Sequence, residues 1–275
     1  MREISENTSN CFKNSNLDFI TTDQKSTGPI PNSQLLIPFI LTLADDTLIM
    51  SQRLSEWTGH GPALEQDIAM TNIALDYLGQ ARNFFQYAAL LRADGSTEDS
   101  IAYLRDAREY RNHLLVELPN GDWAQTILKI FFFAVYQKLL YQQLLNGPDT
   151  QIAAIAEKGL KEISYHLKWT SDWVIRLGDG TTESYQRMNR AIEALWPFTG
   201  ELFEPPPYDV AGIDYLVIPD EWMSVVSSIF GKAMLILPGI VPYQTGGLKG
   251  IHTEHLGYIL AEMQWLQRVY PNSEW

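Results

Sequence analysis

Residues 123–146 read WAQTILKIFFFAVYQKLLYQQLLN. Apolar side chains fall on almost every side of the helix this stretch would form, so no face is left over for water. A helix of that kind is usually the buried centre of a bundle. Pro119-Asn120-Gly121 sets its start and Gly147-Pro148 its end. The fold is therefore read outward from a central helix that needs a coat of further helices.

Upstream, Leu35–Trp57 predicts a first helix, stopped by the breaker Gly59, Gly61 and Pro62. Ala63–Arg92 predicts a long second one, in which Leu64, Ile68, Leu75, Leu78 and Phe85 recur at mostly three- and four-residue steps. A third is expected over Thr97–Glu117. Downstream, Thr150–Leu177 predicts a fifth helix closed by Gly178 and Gly180, and Thr181/Thr182 cap a sixth over Glu183–Glu201. A Pro-rich segment, Glu204–Pro219, holds a short strand-like run, Tyr215–Ile218. A shorter helix near Glu221–Leu235 and a last one over Ile251–Tyr270 follow. Residues 1–33, rich in Asn, Ser and Thr and ending near Pro29 and Pro31, read as a flexible tail. Residues 34–275 then form a single all-α domain.

Composition narrows the function. The net charge of −13 disfavours nucleic acid, whose phosphates need clustered Lys and Arg. One cysteine, Cys11, cannot form an internal disulfide, sits in a polar tail unsuited to a nucleophile, and fits a reducing cytoplasm. The apolar run Gln34–Leu43 is about half the length of a membrane span and runs into Asp45 and Asp46. A soluble, cytoplasmic protein with no membrane partner is expected.

The chemical question for a large helical bundle is whether it holds a metal pair. A carboxylate-bridged di-iron centre takes Glu from two helices and Glu-x-x-His from two others. No histidine here has an acid three positions before it. Glu56/His60, Glu109/His113 and Glu162/His166 instead have the four-residue spacing of ordinary helix-face pairs. Glu162/His166 stands out because its helix should be half buried, and a hydrogen-bonded core pair is the expectation there. Asp76 lies in an apolar stretch of the second helix, but Gly79 stands where a metal site would want His; that glycine suits close approach of a second helix. Asp76, Glu162 and His166 are thus the candidates for a degenerate site, with Asp76 and Glu162 facing each other and His166 partnering Glu162. The fourth helix adds only Gln125, Gln137, Gln142 and Gln143. His252 and His255 could share a helical face as a mononuclear metal site, though the glycine-rich approach Gln244–Gly250 equally suits a backbone turn docking on a partner or anion. GxGxxG, P-loop, GxSxG and HExxH signatures are absent from the sequence.

Four stretches, 51–89, 114–127, 161–184 and 245–271, carry a resemblance that runs from about Leu41 to Trp275. They read SQRLSEWTGHGPALEQDIAMTNIALDYLGQARNFFQYAA, LLVELPNGDWAQTI, KEISYHLKWTSDWVIRLGDGTTES and TGGLKGIHTEHLGYILAEMQWLQRVYP. They resemble the structural C-subunit (PaaC) family of bacterial phenylacetyl-CoA epoxidase, the ring 1,2-phenylacetyl-CoA monooxygenase. The resemblance implies a ferritin-like fold within a multicomponent di-iron monooxygenase of aerobic phenylacetate catabolism. It also implies a homologous catalytic A subunit carrying the di-iron, a small bridging B subunit, and a reductase that passes electrons from NADPH through FAD and an iron–sulfur cluster. This chain would then hold no catalytic residue, metal or cofactor of its own. The alternatives are an autonomous ferritin-like metalloenzyme and a helical acyl-CoA-binding protein.

Overall fold

The computed structural model describes residues 32–206, 212–271 and 273. The expected tail 1–33, with Cys11, and the middle of the Pro-rich segment fall almost wholly outside the described residues. In chain order the long helices are α1 (Asn32–Ser55), α2 (Leu64–Arg92), α5 (Trp123–Leu144) and α6 (Thr150–Gly178). Two short ones, α3 (Glu98–Tyr103) and α4 (Leu114–Glu117), lie between α2 and α5, and α7 (Thr182–Leu195), α8 (Ile218–Lys232) and α9 (Glu254–Val269) follow α6. Among the described residues there is no strand; the fold is an all-α, ferritin-like bundle.

The central helix behaves as its sequence demands. On α5, Ile127, Leu128, Ile130 to Val135, Leu140 and Tyr141 are all buried. The helix packs on α6, with α7 and α8 against its remaining sides, while α1 packs on α2 and α2 meets α6. Lys129 is buried inside this apolar run. Its ammonium donates to Leu118 O at 2.7 Å and Asn120 Oδ1 at 3.1 Å, tying the preceding loop to α5. Burial, helped by nearby Arg53 and opposed by Glu56, pushes its pKa down to about 7.

Helix starts follow side-chain capping. Asp122 accepts from Gln125 N, Asp149 from Gln151 N and Ile152 N, and Thr181 forms a capping box with Ser184. Helix α7 stops at Leu195, short of the expected Glu201. Pro197 lacks an N–H and cannot continue the ladder, so the chain proceeds through 3-10 turns at Trp196–Phe198 and Gly200–Phe203. Tyr215–Val217 forms a turn into α8 and not a strand, with Pro219 in the first helical turn, where its missing N–H costs nothing.

Helix α1 has one stretch, Leu35–Ser55, long and apolar enough to cross a membrane by length and composition alone, but 72% of that window is buried within the bundle. Its apolar surface is consumed by the protein core. Helix α2 departs from its expected pattern. Its core face is Met70, Ile73, Ala74, Tyr77, Ala81, Phe84, Phe85 and Ala88, so of the five spaced apolar residues only Phe85 is buried. Leu64, Ile68, Leu75 and Leu78 point to solvent.

The expected third helix does not form as one piece. Between α3 and α4 the chain runs through a single 3-10 turn, Ala107–Glu109, and an extended stretch. Here the backbone N–H groups of Arg111, His113 and Leu114 donate to the carboxylates of Asp45, Asp46 and Glu201. Side chains from distant elements have replaced the carbonyls a helix would have offered.

Candidate functional site

Polar side chains converge inside the bundle at two places. The first is the seam between α2, α5 and α6, which holds the candidates expected from the sequence. His166 is buried on α6 and its Nε2 lies 2.9 Å from Asp76 Oδ2 on α2. One turn away, Gln80 Nε2 donates to Glu162 Oε2 at 2.9 Å. Gln80 Oε1 in turn accepts from Gln137 Nε2 at 3.2 Å and from the Tyr141 hydroxyl at 3.1 Å. Gly159 makes room for this chain, since a Cβ there would lie 2.8 Å from Tyr141 Cε2 and 3.2 Å from Gln80 Cδ. Tyr77 packs its ring on His166 at 4.9 Å, and burial pushes its hydroxyl far above the usual tyrosine range.

Asp76, Glu162 and His166 therefore do share one seam, but their pairing is crossed. His166 partners Asp76 and not Glu162, and Glu162 is met by a neutral amide. The reason is helical geometry: successive turns of α6 face successive turns of α2, so each acid reaches across the seam more easily than along its own helix. A carboxylate-bridged iron pair does not fit this donor set. The seam supplies one imidazole and two carboxylates, Asp76 paired with His166 and Glu162 with Gln80, and the polar side chains beside them, Gln137, Tyr141 and Tyr77, are neutral amide and phenol groups. Among the described residues no three His, Cys, Asp or Glu side chains converge as a ligand group.

The second convergence is an ionic cluster that the sequence patterns do not reveal. Asp45 and Asp46 sit side by side in the middle of α1. Arg105 grips Asp45 with both guanidinium ends, one contact being 3.0 Å to Oδ2, and Arg111 N donates to the same oxygen at 2.9 Å. The Arg105 guanidinium also lies 4.2 Å from the Tyr110 ring centroid. Asp46 accepts from His113 N at 2.7 Å and lies 2.8 Å from His113 Nδ1. Burial opposes the charge on His113, but Asp46, with Glu201 and Glu204 farther off, holds its pKa above the ordinary histidine value.

Glu117 and Glu201 extend the cluster to the C-terminal part of the chain. Glu117 Oε1 accepts from Thr253 N at 2.6 Å and Thr253 Oγ1 at 2.7 Å; its Oε2 meets Asn112 Nδ2 at 2.9 Å and His252 Nδ1 at 2.8 Å. The other ring nitrogen of His252 is 3.1 Å from Tyr110 O. With acceptors at both nitrogens, the imidazolium is the form that satisfies this site. Burial works against that charge, and the Glu117 carboxylate overcomes it, raising the His252 pKa. Glu201 Oε1 accepts from Gly246 N and Gly247 N, each at 2.7 Å, while its Oε2 takes Leu114 N at 2.7 Å. The glycine-rich turn does bind an anion, and the anion is the chain's own carboxylate. A Cβ at Gly247 would collide with Asn112 O, so only glycine allows this approach.

These contacts correct the remaining histidine expectations. His252 precedes α9, which Thr253 caps, so His252 and His255 do not share a helical face. Glu56 pairs with Arg53 and Asn120, Glu109 caps Asp106 N, and His60 Nδ1 lies near Thr58 O. Each member of the four-residue-spaced pairs has found another partner. One signal could have exposed the cluster in advance: two adjacent aspartates within an apolar helix must be neutralised from elsewhere.

Chemically, the seam is a short relay of hydrogen bonds and the cluster is a clamp. The clamp joins α1, the 105–117 segment, the Gly200–Phe203 turn and the approach to α9. Two similarities place this architecture. The family model described as phenylacetic acid catabolic protein matches residues 11–275. A curated relative from Escherichia coli (strain K12), the C subunit of 1,2-phenylacetyl-CoA epoxidase, is 46% identical over 246 residues, covering 87% of this chain and 99% of the relative. The chain belongs to the phenylacetic acid catabolic protein family.

Proposed function

We propose that this chain is a non-catalytic structural subunit of a multicomponent di-iron monooxygenase that epoxidises the ring of phenylacetyl-CoA in aerobic phenylacetate breakdown. It pairs with a homologous catalytic A subunit that carries the iron, works with a small bridging B subunit, and receives no electrons itself. A reductase delivers electrons from NADPH through FAD and an iron–sulfur cluster to the partner. The assembly is cytoplasmic.

The observation that carries this reading is the state of the acids in the bundle seam. Asp76 is engaged by His166 and Glu162 by Gln80, so these half-buried seam carboxylates act as structural acceptors. The similarity to the C subunit of an epoxidase supports the assignment to that complex. The surface adds support. Large apolar side chains such as Ile236, Ile240, Tyr258 and Trp265 are exposed, leaving apolar area for a partner subunit to cover.

Reconstitution tests the proposal. Purified chain mixed with the catalytic A subunit should co-elute with it, and epoxide should form only when the A subunit is present. Iron should stay with the A subunit, this chain retaining far less than two equivalents after desalting. Epoxidation by this chain with reductase alone, or two retained irons with a di-iron optical signature, would refute it.

A further inference from the structure

Two buried carboxylates each hold two remote segments of the chain at once. Glu117 takes Thr253 N, Thr253 Oγ1 and His252 Nδ1 from one side and Asn112 Nδ2 from the other. Glu201 takes Gly246 N and Gly247 N together with Leu114 N. Residues 112–114 are thereby tied to the turn 246–253. The ties continue along α9. Gln264 Nε2 donates to Arg105 O at 2.9 Å and to the Tyr110 hydroxyl at 3.2 Å. Arg268 Nη2 donates to Arg105 O and Asp106 Oδ1, each at 3.1 Å.

Shared acceptors make the two segments interdependent. If 246–253 lifted off alone, Glu117 would lose three of its four donors and Glu201 two of its three. Both glutamates are fully buried, and a buried carboxylate stripped of donors is strongly unfavourable. Lifting 105–114 alone strands more acids, because that segment supplies Arg105 and Arg111 N to Asp45 and His113 to Asp46. Lifting both together lets water solvate all four carboxylates. The main packing of the bundle lies elsewhere, in α1 on α2 and α5 on α6, whereas α9 rests chiefly on α3, α4, the 107–109 turn and α1. Leu248, Leu256, Ile259 and Leu260 are the buried apolar residues that 244–270 brings to this contact.

We propose that residues 104–117 and 244–270 form one strap, which opens and closes as a unit while the bundle of α1, α2, α5 and α6 stays folded. Opening uncovers the Asp45–Asp46 side of α1. The inference concerns the chain alone and does not depend on the oxygenase reading.

Hydrogen exchange of the full-length chain, followed by mass spectrometry across low urea concentrations, tests it. Peptides from 104–117 and 246–264 should share one opening equilibrium and one urea dependence. That dependence should be shallower than the one for α5, since less surface is exposed than in global unfolding. Two substitutions confined to the C-terminal segment probe the coupling. Gly247→Ala pushes the turn off Asn112 and should speed exchange in 110–117 and 246–253 by the same factor, about ten-fold. Gly257→Ala, whose Cβ meets no atom within 4 Å, favours α9 and should slow both segments alike, by about three- to five-fold. Opening equilibria or urea dependences that differ between the segments overturn the proposal. So does exchange of both segments only through global unfolding. A Gly257→Ala effect confined to 246–264 equally overturns it, and this variant decides the matter if Gly247→Ala fails to fold.

Discussion

Glu117 and Glu162 are both glutamates that bridge to another element, yet their substitution should differ sharply. Glu117 is fully buried and accepts from four donors, among them His252. Glu117→Gln keeps the shape but removes the charge opposite an imidazolium, and should cost about 2–4 kcal/mol in a urea or thermal melt. Glu162 is half-buried and meets a single amide, so Glu162→Gln should stay within about 1 kcal/mol of wild type. The pH dependence follows from the same contacts. A histidine whose folded pKa is raised contributes stability that is complete below its unfolded pKa, about 6.5, and is lost as pH rises through the folded value. The stability gap between wild type and His252→Gln should therefore be widest in mild acid and shrink as the medium becomes alkaline. Taking the difference between the two proteins cancels Lys129, which works in the opposite direction. A gap that widens with rising pH would show that His252 is held neutral. The seam is legible in the sequence because Glu162, His166 and Asp76 lie in recognisable helical stretches. Glu117 and His252, 135 residues apart, are not, because no spacing rule connects side chains on separate elements.

At the scale of elements, the long helices are legible because each carries an apolar pattern and a local stop. Expected and observed spans of the first, second, fourth and fifth helices agree to within about three residues, the usual latitude of helix ends. The region 97–117 is not legible. Its local sequence favours helix, and the carboxylates that divert it come from Asp45, Asp46 and Glu201, all remote in sequence. The second helix misleads in another way: periodicity reveals that an apolar stripe exists, but not which side faces the core. Glycines test the resulting packing. Gly247→Ala must push apart the Gly246–Leu248 turn and Asn112, and should destabilise by about 1–3 kcal/mol with increased hydrogen exchange in 244–253. Gly257→Ala, on the open side of α9, meets nothing within 4 Å and should stabilise by up to about 1 kcal/mol. Equal melts for the two variants would mean the turn is not seated on Asn112.

For the whole molecule, the buried cluster and the seam divide one bundle into a clamp and a quiet interior. The clamp fixes the C-terminal part against α1 through carboxylates, and in the seam Asp76 is met by His166 and Glu162 by Gln80. In the function proposed above, such a chain contributes shape and surface beside a catalytic homologue. The most direct test of that claim is ring epoxidation of phenylacetyl-CoA by the reconstituted complex carrying Asp76→Asn and Glu162→Gln together in this chain, with assembly and melting measured in parallel. The account predicts turnover within a few-fold of wild type, because both swaps preserve shape and hydrogen bonding. Loss of turnover, with assembly and melt unchanged, would contradict it and give the seam a chemical role.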